Sequence, residues 1–217
     1  MPFRDRRDAG RRLADRVRGL DLHDVLVLAL PRGGVPVAFE VAVALGAPLE
    51  VFVVRKIGAP GQPERGIGAV AEGGWQVVDR SALRILGLTN DQFGELAVAE
   101  LRELDRRVRH YRRGRVLPDL AQRDVVLVDD GLATGVTAQA AMCALRNRNP
   151  RRLVLAAPAC APGTATRLRE VADEVVCVLE PEPFFAVGQW YRDFRPTDDA
   201  EVLLLLDRAA GRAGVGR

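Results

Sequence analysis

Cysteine is scarce in this chain, and so is lysine. The three cysteines, Cys143, Cys160 and Cys177, are odd in number, far apart and set among apolar residues. That pattern argues against a disulfide scaffold and a zinc site, and leaves small buried thiols in a reducing cytosol as the expectation. Arginine greatly outnumbers lysine, yet 32 basic residues against 29 acidic ones leave a net charge of only +3. Charge alone therefore makes no case for a nucleic-acid partner. No apolar run approaches the ~20 residues of a membrane span. The start, "MPFRDRRDAGRR", carries charge with no apolar stretch behind it, so no signal peptide is expected. Internal repeats, long linkers and low-complexity segments are missing too. The expectation is a cytoplasmic protein with no membrane partner.

What is present suits one substantial domain: 217 residues, 48% apolar and 28% charged. Leu13, Val17 and Leu20 recur at helical spacing among arginines, which predicts an amphipathic helix over 5–19. "DVLVLAL", residues 24–30, is a continuous apolar run of the kind that is buried on both faces of a parallel sheet. "PRGG" breaks the chain, "VPVAFEVAVALG" reads as a helix ending at Gly46, and "LEVFVVRK", 49–56, is a second buried strand. The Gly/Pro-rich segment "IGAPGQPERG" is expected to be irregular, and "GAVAEGGWQVVD" to be a hairpin turning at Gly73-Gly74. A long charged helix covers 90–113. Its basic end, Arg106 to Arg115, suits either a nucleic-acid patch or solvated cations near a helix C-terminus, and the second reading is preferred. Further strands at "DVVLVDD", "RRLVLAAPA" and "EVVCVLE" alternate with helices over 136–147 and 163–171, and "DDAEVLLLLDRAA" closes the chain as a helix. This alternation predicts an α/β fold with an open, mainly parallel twisted sheet flanked by helices.

The stretch "VVLVDDGLATG", 125–135, runs an apolar strand into two adjacent carboxylates, Asp129 and Asp130, and then into a loop of small residues. Ligands of open parallel sheets bind at the carboxyl ends of strands, where this pair sits. Adjacent carboxylates repel, so the pair suits either a divalent cation or the hydroxyls of a vicinal diol. "GLATGVT" offers backbone N–H groups at a helix N-terminus, with little bulk to keep a phosphate away, and Thr134 and Thr137 add hydroxyls. A diol reader beside a phosphate cradle describes a ribose 5-phosphate site. The loop is neither a GxGxxG turn nor a P-loop, because no lysine stands in it.

The stretch resembles the phosphoribosyl pyrophosphate signature of type I phosphoribosyltransferases. "LALPRGGVPVAFEVA" and "VVRKIGAPGQPERGIGAVAEGG" extend the resemblance to bacterial phosphoribosyltransferase-domain proteins. The resemblance implies that Asp129 and Asp130 hold the ribose hydroxyls and, indirectly, Mg²⁺. It implies that Gly131, Ala133, Thr134, Gly135, Val136 and Thr137 surround the 5-phosphate. Arg32, Gly33 and Gly34 would form the pyrophosphate loop, with Arg55 and Lys56 as further pyrophosphate ligands. Gly33-Gly34 is also readable as a tight turn, and Arg55 and Lys56 as solvated charges at a strand end. Glu64 and Glu72 are candidate metal or substrate contacts, with surface glutamates the preferred reading. The implied layout is a single domain over 1–217, with a core at about 20–180 and a mobile loop at about 57–75. A hood at about 181–217, together with the N-terminal helix, would recognise the acceptor.

The implied reaction transfers phosphoribosyl from phosphoribosyl pyrophosphate to a nitrogenous base, with Mg²⁺, in a homodimer. "EPFFAVGQWYRDF" partly resembles the hood of hypoxanthine-guanine enzymes, so Phe185, Val187, Trp190 and Tyr191 either stack on a flat ring or pack the hood. Asp193 falls one residue later than in that pattern, and the strand end "AAPACAP" lacks those enzymes' lysine. Two other readings accompany the enzyme: a nucleotide- or phosphoribosyl-pyrophosphate-sensing regulator, and a phosphoribosyl-pyrophosphate hydrolase.

Overall fold

Strand β1 (Val25–Ala29) lies between β2 (Leu49–Val51) and β6 (Asp124–Val128), and β7 (Arg152–Ala159) and β8 (Glu174–Leu179) continue from β6. All four pairings are parallel, so the main sheet has the order β2-β1-β6-β7-β8. The structure, a computed structural model, describes residues 2–213, except for the side chains at 63, 64 and 213. The apolar runs form this sheet because both of its faces are covered. Val27, Ala29, Val126, Val128, Val154 and Ala156 point into one apolar cluster. Their neighbours Leu26, Leu28, Val125, Leu127, Leu153 and Leu155 point into the other.

Helices α1 (Arg6–Val17), α2 (Gly34–Leu45) and α7 (Asp199–Ala213) contribute to the first cluster, while α5 (Val136–Arg146) and α6 (Pro162–Leu168) pack on the second. Gly10 lets α1 approach α2 closely: a Cβ there would lie 2.7 Å from the Val37 carbonyl oxygen. Asp5 caps α1, accepting from the Asp8 N–H at 2.8 Å, and Gly46 ends α2 in the left-handed region at φ 61°.

Three expectations fail here. The run 49–56 is not one strand: it divides after β2, and its second half belongs to a separate three-stranded sheet. The Gly/Pro segment is regular: β3 (Val54–Ala59) and β4 (Gln62–Ala71) pair antiparallel around a turn at Pro60-Gly61, and β5 (Trp75–Val78) adds a third strand. Its glycines coincide with register shifts at Ile57/Gly58 and Gly58/Ala59, so bulges absorb the residues that discourage strand. A short helix, α3 (Arg80–Leu86), then leads into α4 (Asn90–Arg112), which the Thr89–Gln92 capping box starts. The cysteines are not all thiols either. Cys160, just past β7, is joined to Cys177 in β8, and Cys143 alone is free. Adjacent parallel strands bring the pair within 6.1 Å between Cα atoms, across a sequence separation of 17.

Candidate functional site

The strand order reverses between β1 and β6, and the crevice at their carboxyl ends is where such sheets bind ligands. The loop after β1 carries Arg32, Gly33 and Gly34; the loop after β6 carries Asp129 and Asp130. Backbone contact holds them together, with Leu30 N–H donating to the Val128 carbonyl at 2.9 Å. A Cβ on Gly34 would sit 2.7 Å from the Val128 carbonyl oxygen and 3.1 Å from the Asp129 Cα. One on Gly33 would overlap Asp130 Oδ2. The paired glycines are therefore more than a turn: they let the first loop lie against the acidic pair. The Pro31–Arg32 peptide bond in this loop is cis.

Asp129 and Asp130 are half-buried. Burial first, and then the neighbouring carboxylate, push Asp129 well above the usual carboxylate range. Burial also raises Asp130, against the pull of Arg6, which donates Nε to Asp130 Oδ2 at 2.9 Å. Arg6, at the start of α1, was not anticipated. It lies 124 residues from its partner, and no local pattern marks it.

The small-residue loop after β6 is open at the backbone. Leu132 bridges to Cys160, and its N–H is taken by the Ala159 carbonyl at 2.8 Å. Among the described residues, no acceptor takes the N–H groups of Ala133, Thr134 or Gly135. The first-turn amides of α5, Val136 and Thr137 among them, have no acceptor within the helix. Gly135 sits at the N-cap in the left-handed region, φ 70°, and a Cβ there would meet Thr164 at 2.6 Å. From behind, α6 braces the loop: Thr164 Oγ1 donates to the Ala133 carbonyl at 2.6 Å, and Arg167 donates to the Thr134 carbonyl. Gly131 serves packing, since a Cβ would overlap Val187 Cγ1.

The cationic residues are divided. Arg32 is half-exposed at the rim, 3.8 Å from Asp199. Arg55 is not brought to the aspartates: it donates to Glu100 on α4 at 2.8 Å. Lys56, next along the strand, points to the opposite face, across from Gly66. Glu72 is not a surface residue. It is buried and takes two hydrogen bonds from Arg112, pinning the end of β4 to the end of α4. The side chain of Glu64 lies outside the described residues. A cleft of about 670 Å³ separates β4 and β5 from Ala133, Thr134, Val136, Gln139 and Arg167.

The N-terminal segment packs against residues 184–195. Phe3 forms a parallel bridge to Tyr191, beside a short 3₁₀ turn, Val187–Trp190. Tyr191 is not available for stacking on a ligand: it is buried, with Phe3 and Phe194 at 5.4 Å and 4.9 Å on its ring, and its hydroxyl donates to the Asp130 carbonyl at 2.5 Å. Its role is to fasten the hood to the acidic loop. Trp190 packs on Phe184 at 6.0 Å, and its buried indole N–H has no partner among the described residues. Phe185 is 82% exposed. Asp193 pairs with Arg195 at 2.7 Å.

No helix of the described residues is long and apolar enough to cross a membrane. Comparison with known proteins agrees with the geometry. The model of the phosphoribosyl transferase domain family matches residues 5–192. A Mycobacterium tuberculosis protein named "Putative phosphoribosyl transferase Rv0571c" is 49% identical over 207 residues, covering 95% of this chain and 47% of that protein. The chain thus spans about half the length of the curated relatives it matches. The crystal structure of the TT1426 protein from Thermus thermophilus superimposes with a TM-score of 0.82 at 45% identity, over 95% of this chain and 98% of that one. The AQ2163 protein of Aquifex aeolicus shares the fold at 11% identity, with a TM-score of 0.50 over 93% of this chain and 86% of its own. The family match spans the first loop, the acidic pair and the phosphate loop alike, and the chain belongs to the phosphoribosyl transferase domain family.

Proposed function

We propose that this chain transfers the phosphoribosyl group of phosphoribosyl pyrophosphate to a nitrogenous base and releases pyrophosphate. One observation carries the reading. The Gly33-Gly34 loop lies against the acidic pair, and the open amides at Ala133, Thr134 and Gly135 follow that pair directly in the chain, an order that suits a pyrophosphate, a diol and a terminal phosphate. The C1–O bond to pyrophosphate breaks, a C1–N bond forms, and the acceptor nitrogen loses its proton to solvent. Charge builds on the departing pyrophosphate, and Arg32 and Lys56 are the cations we assign to neutralise it. The chain works mainly by holding the reactants in line; it supplies no covalent nucleophile.

Mg²⁺ fits this site only as an ion carried largely by the substrate. Among the described residues, no three histidine, cysteine, aspartate or glutamate side chains cluster as a ligand set. Asp129 and Asp130 supply hard oxygens, and one or two carboxylates plus substrate phosphates are the usual environment of this ion. When bound, it would add positive charge beside the leaving group.

The test is direct. The protein is mixed with Mg²⁺, phosphoribosyl pyrophosphate and a panel of purine, pyrimidine and other nitrogenous bases, and pyrophosphate is followed. Release that depends on one base is expected. Release without any base would mean hydrolysis, and tight binding without release would mean a sensing protein; either overturns transfer.

A further inference from the structure

We propose that Arg6 is a positioning residue of the sugar site, acting through Asp130. Resting on the reading of the acidic pair as the diol site, the proposal adds a side chain from the far end of the chain. Arg6 is only 11% exposed and is held on three sides. Its Nε donates to Asp130 Oδ2 at 2.9 Å, its Nη1 donates to the Arg195 carbonyl at 2.7 Å, and its guanidinium carbon stands 4.0 Å from the centroid of the Phe194 ring. Its Nε also lies 3.3 Å from the place a Gly33 Cβ would occupy.

Asp130 Oδ2 is thus clamped between Arg6 and the first loop. A carboxylate has two oxygens with about four acceptor positions. With Oδ2 held, Oδ1 is left in a fixed orientation to accept from a ligand hydroxyl. Arg6 suits this role because its planar fork reaches a carboxylate and a carbonyl at once while its face lies on an aromatic ring. The same fork couples the hood to the sugar site, since Arg195 and Phe194 belong to the segment that follows Tyr191.

The test compares ribose 5-phosphate with 2-deoxyribose 5-phosphate, which lacks one hydroxyl of the pair, by titration calorimetry. Inorganic phosphate, which has no diol, reports the integrity of the phosphate loop. The unaltered protein should prefer ribose 5-phosphate by roughly tenfold or more, because a site built for a hydroxyl rejects the analogue without it. Arg6→Gln should lose most of that preference while keeping its affinity for inorganic phosphate. Arg6→Lys keeps the charge but cannot serve Asp130, the Arg195 carbonyl and the Phe194 ring together, and should retain less than half of the preference. If Arg6→Gln does not fold, the lysine variant alone decides. Full preference in Arg6→Lys, or equal weakening of both sugars in either variant, overturns the role. An unaltered protein that ignores the missing hydroxyl overturns the diol reading itself, a failure distinct from that of Arg6.

Discussion

Asp129 holds its place against its own electrostatics. It is half-buried beside a second carboxylate, and both circumstances raise its pKa. An acid whose pKa is higher in the native than in the unfolded chain binds more protons when folded. The fold therefore loses stability as pH rises from the unfolded value, about 4, to the raised one. Below that window the group contributes no penalty; above it, the penalty is complete. Asp129→Asn removes the charge and keeps an oxygen for the Asp130 N–H, which now donates to Asp129 Oδ1 at 2.8 Å. The variant should be more stable than the parent at pH 7 and should show a shallower decline above pH 4, the remainder coming from Asp130, whose pKa burial also raises. It should also bind phosphoribosyl pyrophosphate at least about tenfold more weakly. Urea titrations across that pH range, paired with calorimetry, check both halves. A variant less stable than the parent at pH 7, with unchanged affinity, would place this carboxylate in the scaffold and not in the site.

At the level of the element, strand alternation separates two cations that are neighbours in sequence. Arg55 and Lys56 are adjacent in β3, so their side chains leave opposite faces. The Arg55 face packs on α4, where Glu100 takes the guanidinium. On the assignment of Lys56 to the departing pyrophosphate, Lys56→Met should reduce turnover by about a hundredfold, the order seen when one charge-stabilising group is removed. Arg55→Met should cost less than about threefold in kcat and show instead as a modest loss of stability. Steady-state rates of pyrophosphate release and thermal melts of the two variants separate the cases; a larger kinetic loss at Arg55 would mean that the hairpin turns over during reaction. The same hairpin marks where local sequence stops being informative. "DVLVLAL" and "DVVLVDD" announce buried strands because a parallel sheet covered on both faces needs unbroken apolar runs. "IGAPGQPERG" carries no period, and its strands exist through pairing that bulges make tolerant of glycine. The acidic pair and the small-residue loop were legible because their chemistry is contiguous. Arg6 and the buried Glu72–Arg112 pair were not, because each depends on a partner distant in sequence.

Across the whole molecule, the site is a product of topology. Parallel crossovers bring residues near 32 and 130 to the same end of the sheet, and the N-terminal segment joins the segment around Tyr191 beside them through the Phe3–Tyr191 bridge. The Cys160–Cys177 link belongs to this scale: three widely spaced cysteines gave no sign of pairing until β7 and β8 lay side by side. The link closes the loop that contains α6, the helix bracing the loop after β6 through Thr164 and Arg167. Closing a loop of this size removes unfolded-state entropy worth roughly 3 kcal/mol. Reduction should therefore lower the melting temperature by roughly 5–10 °C, given the usual sensitivity for a chain of this length. The Leu132–Cys160 bridge and the β7–β8 ladder are made by backbone and do not need the sulfurs. Inorganic phosphate should therefore still bind the reduced protein at low temperature. A variant with Cys160→Ala and Cys177→Ala should melt near the reduced parent and ignore reductant, while Cys143→Ala should leave the response to reductant unchanged. Differential scanning calorimetry of the three proteins with and without reductant checks this. A parent whose melting temperature does not move on complete reduction would show that packing across β7 and β8, and not the covalent link, holds α6 behind the loop after β6.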